Sequence, residues 1–560
     1  MSAQEEAKKP EQKYRTANYK ANARGLGREH EEPQNYTMMQ VAIGVKMIGL
    51  RNWETDRTLH CWTPGFEWYS KGGGKFWNDF KEKSKSLADM GITAAWLPPT
   101  MADLLCSPFF LAPTKGQSPE DNGYGVYDIY DLGEFDAKGG KATKWGTKEQ
   151  YIDCIKTCKK NGIVVYIDAV LNHKAGADEA EPFMATEVDE NNRNQEVSGA
   201  YEIEGWTKFD FPGRGDKYSD LKWRHYHFTG VDWDNRAEKK AIFKIQGEGK
   251  GWALAVDGEK GSFDYLMFAD IDHNHPEARE DIKKWGTWII KETGAEGIRF
   301  DAVKHIDEGF ISEFVQHIRK ELDNPDLFCV GEFWKDDIGS LTGYLDRFGD
   351  QFSLFDTALH YNFKEASTRG GDYDLRAIWD GTVVKDYPMD AVTLVDNHDT
   401  QPQQALESWI DPTFKPLAYA LILFRGDGYP CVFAGDLYGC NSEPFVEPMS
   451  QLDDFIRIRK CFTYGPTRDY WDHPQCVGWV REGDAAHDGC AVVICNGSED
   501  GKKRMQIPDG HAGEKWTDVL GWYQGEVTIG DDGWAEFPCH ERSASVWAKV
   551  DAKHREEFNK

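Results

Sequence analysis

Short apolar runs alternate with longer amphipathic stretches through most of this chain. Residues 92–98, 163–171, 298–303, 328–333, 391–395 and 431–433 are each apolar, rich in β-branched side chains, and read as buried strands. Residues 148–160, 277–293 and 308–322 instead place apolar side chains at helical spacing. In the second of these Trp285, Trp288 and Ile289 form the stripe, and Pro325 lies just past the third. Strand and helix in repeated alternation predict a parallel α/β sheet, and over this length a sheet closed into a (β/α)8 TIM barrel.

Two stretches break the alternation. Residues 174–275 are rich in Trp, Tyr, Gly and Asp and far exceed an ordinary loop. They read as a β-rich domain inserted after the third strand. Residues 465–550 carry short strands separated by Gly, Asp and Asn turns, which predicts a C-terminal antiparallel β-sandwich. The barrel then comprises residues 35–173 and 276–464. Residues 1–34 are charged and lack apolar periodicity, as a disordered leader does, and 551–560 form a tail.

The formal charge of -29 argues against nucleic acid and anionic membranes as partners and favours a neutral substrate. The 12 cysteines do not form a small disulfide scaffold. Cys154 and Cys158, one helical turn apart, read as buried thiols rather than a zinc site. His273, Asn274 and His275 read as a turn into the helix that follows. The first residues have no apolar signal core, and no stretch is long and apolar enough to span a bilayer. The chain is expected to be cytoplasmic and monomeric.

Three of the apolar runs lead into acids: 297–305 contains Asp301, 330–334 contains Glu332, and 395–399 ends in Asp399. Read as the ends of three successive strands, they converge on one pocket. A glycosidic bond needs such a set, one carboxylate to attack while another protonates the leaving oxygen. Arg299 lies two residues before Asp301, so on a strand both side chains point the same way. Its permanent charge should keep Asp301 ionised.

These three stretches, together with residues 168–173, resemble in order the four signatures of the α-amylase family, glycoside hydrolase family 13. Residues 123–128, 211–215, 265–272 and 477–483 further resemble its liquefying bacterial and intracellular fungal members. The resemblance implies a retaining mechanism, with Asp301 as nucleophile, Glu332 as general acid/base and Asp399 as a third acid gripping the distorted sugar. It also implies that His173 and His398 hydrogen-bond that sugar and that Tyr124 stacks on it. Lys304 and Trp334 would shape the leaving-group side, with Arg299 and His305 also among the substrate contacts. Asn172, Asp264, Asp270 and the His305 carbonyl would hold one main calcium ion, Ca2+, a cation that takes hard oxygen ligands. A second calcium and its sodium are expected to be absent or weak, because Thr229, Ala253 and Asn274 stand where those bacterial members carry aspartates.

The resemblance has two interruptions, residues 41–65 and 101–114, which read either as genuine surface loops or, one or both, as translated intron sequence. The first separates residues 36–40 from 66–69, which together should form the first barrel strand. The expected activity is endo-acting hydrolysis of α-1,4-glucosidic bonds in starch- or glycogen-like α-glucans. The alternatives are an α-glucan transglycosylase using the same residues, or a non-catalytic glucan-binding protein if the insertions disrupt the barrel.

Overall fold

The computed structural model describes residues 62–64, 66–99, 102–103, 122–137 and 139–558. The leader, residues 36–40, and most of both interruptions lie outside these. Eight parallel strands close into a barrel: Trp62–Pro64, Ala94–Trp96, Val164–Ala169, Gly297–Phe300, Phe328–Gly331, Ser353–Phe355, Ala391–Leu394 and Tyr429–Cys431. Closure is made by the first strand, where Trp62 pairs with Ala94 on one side and Cys431 on the other. The described strands are buried almost throughout, as parallel strands covered by helices must be.

Three sequence expectations are corrected here. The slot assigned to residues 36–40 is filled by Trp62–Pro64, which belong to the first interruption and run directly on to Phe66. A parallel partner needs only a few extended residues, and Trp-Thr-Pro supplies them. The acid-bearing strands are not successive: Ser353–Phe355 lies between those of Glu332 and Asp399, and three residues are too few to show a period. The last strand is Tyr429–Cys431, two residues earlier than 431–433.

Helix Lys148–Lys160 starts at a capping box in which the Thr147 hydroxyl accepts from the Gln150 N–H and the Gln150 side chain accepts from the Thr147 N–H. It buries Tyr151, Cys154, Ile155 and Cys158. The ten cysteines among the described residues are all buried and none is in a disulfide. Gly331 ends the fifth strand because a Cβ there would stand 2.4 Å from the Phe352 ring.

Between the third strand and helix Pro276–Thr293 lies a six-stranded antiparallel sheet. It begins at His173–Lys174, which pairs with Ala269–Ile271 at its far end in sequence. The segment therefore leaves and rejoins the barrel at one edge of this sheet. The interruption at 101–114 contributes Ala102–Asp103, paired with Val126–Asp128. Past the barrel, a six-stranded antiparallel sheet and the antiparallel pair Gly501–Gln506 with Trp534–Cys539 form the C-terminal unit. No helix among the described residues is long and apolar enough to cross a membrane.

Candidate active site

Four barrel strands deliver charged groups to the C-terminal mouth, where barrel chemistry is placed. The third carries Asp168, the fourth Arg299 with Asp301 just past its end, the fifth Glu332 just past Gly331, and the seventh leads to His398 and Asp399. Arg299 is fully buried and binds three carboxylates. Its Nη1 donates to Asp168 Oδ1 and Asp301 Oδ1, each at 2.7 Å, and its Nη2 donates to Glu332 Oε2 at 2.6 Å. Asp301 and Glu332 thus face one pocket from either end of a single guanidinium. Ala302, the residue between the strand end and the turn Val303–His305, has a left-handed backbone (φ 46°), a strained conformation for a residue with a Cβ.

Burial pushes the Asp301 carboxyl up to about 6; Arg299 opposes the rise and Asp168 adds to it. Arg299 therefore works toward the ionised form, as expected, against a larger desolvation that raises the carboxyl. Burial also raises Glu332, opposed by Arg299 and helped by the charge of Asp301. Asp399 is driven well above the usual carboxylate range by burial and then by repulsion from Glu332.

Neutral rings wall the pocket. Tyr124 stacks on His398 (5.3 Å, 14°) and on Trp68 (5.9 Å, 13°). His173 Nε2 lies 2.8 Å from the Tyr124 carbonyl, which fixes the proton on Nε2 and leaves Nδ1 as an acceptor. Burial lowers His173 to about 4 and His398 well below its usual value, so both are neutral at pH 7. His173 Nδ1, His398 Nδ1 and Glu332 Oε1 are buried and have no hydrogen-bond partner among the described residues. In a site otherwise rich in internal bonds, these are the atoms left to meet a polyhydroxylated ligand.

On the other flank, Lys304 Nζ donates to the Trp334 carbonyl at 3.0 Å, and Trp334 Nε1 donates to the Tyr361 hydroxyl at 2.9 Å. His305 is placed differently from expectation. Its Nδ1 donates to the Phe263 carbonyl at 2.7 Å and its ring packs on Phe263, so these contacts bind it to the inserted segment rather than to the carboxylates.

The sequence reading missed the hub. Asp168 Oδ2 accepts from Tyr124 Oη and Trp96 Nε1, both at 2.9 Å, while its Oδ1 holds Arg299. The available signal was its place at the head of the 168–173 stretch. Trp96, Trp68 and Phe66, all near the His398 ring, were also missed.

Three of the predicted cation ligands, Asn172, Asp264 and Asp270, are buried together. Asn172 Nδ2 donates to Asp270 Oδ1 at 3.0 Å, and Asn172 Oδ1 is buried with no partner among the described residues. Asp264 and Asp270 are both 1% exposed. Burial raises each, and their mutual repulsion adds to the rise in Asp270. Buried like charges beside an orphaned amide oxygen fit a hard divalent cation. The positions lacking aspartates are occupied by internal donors. The Thr229 hydroxyl donates to Asp270, the Ala253 N–H donates to Asp264 (3.0 Å), and Lys250 pairs with Asp272 at 2.6 Å. Asn274 donates its N–H to Asp272 within the turn into helix Pro276–Thr293.

His227, His275 and Glu277 also stand close together. However, His227 Nδ1 accepts the Arg224 N–H, so Nε2 carries the proton toward Glu277 and the neutral ring has no lone pair left for a metal.

A parallel barrel with paired buried carboxylates, an arginine between them and neutral ring walls defines a carbohydrate-cleaving enzyme of the glycoside hydrolase class. Residues 75–482 match the alpha amylase catalytic domain and residues 491–548 the alpha-amylase C-terminal domain. The chain belongs to the alpha-amylase family. It is 46% identical over 485 residues to a glucan 1,4-alpha-maltohexaosidase of Bacillus sp. (strain 707), covering 86% of this chain and 91% of that one. It is 41% identical over 494 residues to the cytoplasmic alpha-amylase of Escherichia coli (strain K12), covering 86% and 97%. Its fold is also similar to alpha-amylase from Geobacillus thermoleovorans complexed with acarbose, at a TM-score of 0.57 and 17% identity, covering 89% of this chain and 99% of that one.

Proposed function

We propose that the protein is a retaining, endo-acting hydrolase of α-1,4-glucosidic bonds in starch- or glycogen-like glucans. The observation that carries this is the seating of Asp301 and Glu332 on the two terminal nitrogens of Arg299. With a carboxyl titrating near 6, Asp301 is mostly ionised at pH 7 and attacks the anomeric carbon. Glu332, raised by burial, keeps a proton for the leaving glycosidic oxygen. The deprotonated Glu332 then takes a proton from water, the water attacks the same carbon, and the bond to Asp301 breaks. Asp399, beside His398, grips the ring hydroxyls.

One calcium ion, held by Asn172, Asp264, Asp270 and the His305 carbonyl, would tie the inserted sheet to the mouth beside His173. A second ion is not expected, because Thr229, Ala253 and Asn274 supply no carboxylate and Lys250 already pairs with Asp272. The substrate is a neutral α-glucan, in keeping with the charge of -29.

The test is reducing-end release from soluble starch by the full chain and by Asp301→Asn and Glu332→Gln. Each substitution should lower kcat by about 10²–10⁴-fold with the fold intact. Either variant working at the parent rate would refute the assignment. Products longer than the supplied maltooligosaccharide would reassign the chain to glycosyl transfer.

A further inference from the structure

A second aromatic cleft lies away from the mouth. It encloses about 300 Å³ and is lined by Trp379 and Trp471 among charged side chains. Its position follows from topology. Pro388 and Asp427, both in its wall, precede the strands Ala391–Leu394 and Tyr429–Cys431. The cleft therefore sits at the N-terminal end of the barrel, opposite the carboxylates, where the barrel meets the C-terminal sheet that begins at Thr467–Tyr470. It cannot be a continuation of the active-site groove.

The two indoles meet at 6.4 Å and 75°, forming a corner rather than a closed stack. Arg425 fixes that corner from beneath. Its guanidinium lies 5.4 Å from the Trp379 ring centre and 5.7 Å from that of Trp471, and it bonds Asp469 at 2.6 Å and Asp427 at 3.2 Å. Trp471 is further backed by the buried Trp479, stacked on it at 6.3 Å. Both corner indoles remain partly exposed although the core beside them has ample apolar surface. The indole N–H of Trp379 is buried and has no partner among the described residues.

The charges in the wall cancel: Arg376, Lys385 and Arg425 against Asp380, Asp427 and Asp469. In a chain of net charge -29 this neutral patch offers little to an ion. It offers much to an uncharged polyol, whose apolar ring faces lie on indoles and whose hydroxyls pair with carboxylates and guanidinium groups. We propose that this cleft is a second, non-catalytic binding site for α-glucan chains, tethering the enzyme to its polymer from the face opposite the active site. The identity of the sugar as an α-glucan rests on the hydrolase reading above; the preference for a neutral sugar rests on the cleft alone.

The test compares full-length chains carrying Asp301→Asn, which leaves glycogen uncut, with and without Trp379→Ala or Trp379→Phe. Retardation in native gels containing glycogen gives the apparent affinity. Separately, kcat/KM on maltopentaose is measured for Trp379→Ala with Asp301 intact. Trp379→Ala should weaken glycogen retention by roughly tenfold, Trp379→Phe should retain most of it, and maltopentaose turnover should be unchanged. Glycogen retention equal to the parent would overturn the proposal. So would a parallel fall in maltopentaose turnover, which would mark Trp379 as structural. A parent that binds glycogen through Trp379 yet fails to cut maltopentaose would sink the hydrolase reading and leave the cleft standing.

Discussion

The effect of Asp168→Asn follows directly from the geometry around Arg299. Asp168 and Asp301 accept from the same nitrogen, Arg299 Nη1, at 2.7 Å each, so their bonded oxygens are at most twice 2.7 Å, or 5.4 Å, apart. Asp168 receives three donated hydrogen bonds, from Arg299, Tyr124 and Trp96. Burial raises its carboxyl above the usual range, while the charge of Arg299 and the three donated bonds oppose the rise and favour the anion. Two unit charges at this separation repel by about 3 kcal/mol at an effective dielectric of about 20, or about two pKa units. Removing the Asp168 charge lets Asp301 ionise more easily, so its pKa falls from about 6 toward about 4. The acid limb of the kcat/KM profile on maltoheptaose should therefore move down by about two pH units. The rate on the plateau should also fall, because an amide at 168 has one oxygen and cannot accept both from the Tyr124–Trp96 pair and from Arg299, so either the ring wall or the guanidinium loses its partner. An acid limb within about 0.5 unit of the parent, in a variant with unchanged near-ultraviolet circular dichroism, would refute the reasoning.

Calcium should bind at one equivalent per chain, read by elemental analysis after gel filtration. Chelation should lower the melting temperature, since an ion at 100 times its Kd adds about 2.7 kcal/mol; a second tight equivalent would count against the argument from the missing carboxylates at Thr229, Ala253 and Asn274 and from the Lys250–Asp272 pair. Lys415 is buried between Asp396, at 2.9 Å, and Asp436, beneath the loop that carries His398 and Asp399. Lys415→Met should cost about 3–5 kcal/mol by urea unfolding, because it strands two buried acids, and should lower kcat as the loop loosens. Parent stability in that variant would show the pair to be unimportant.

Most of the barrel was legible because long strand–helix alternation leaves a strong period. Helix Lys148–Lys160, capped by Thr147 and Gln150, matches the predicted span at both ends. The sixth strand, Ser353–Phe355, left no pattern because three residues cannot carry one. The first strand was misplaced because strand identity was read from continuity with the relatives, whereas a barrel only requires an extended segment between the second and last strands. The site divides in the same way. Acids that end apolar runs stand out in a sequence, so Asp301, Glu332 and Asp399 were visible. Asp168, Trp96, Trp68 and Phe66 are residue types that also fill cores, and only their convergence on Arg299 and His398 separates them from packing.

That convergence explains how one pocket holds a base and an acid side by side. Three buried carboxylates and the partly buried Asp399 surround one guanidinium, so the internal positive charge cannot balance four anions. The neighbouring rings do not help, because burial keeps His173 and His398 neutral. The shortfall must be met by protons. Asp168 and Asp301, sharing Nη1, have first claim on the positive charge. Glu332 has only Nη2 and a long contact of 3.4 Å from the Ala302 N–H, and its Oε1 has no partner. A proton on that unpartnered oxygen would face the pocket rather than the arginine. The same charge imbalance that would destabilise a structural ion cluster here places an acid opposite an ionised neighbour, the asymmetry that glycosidic cleavage requires.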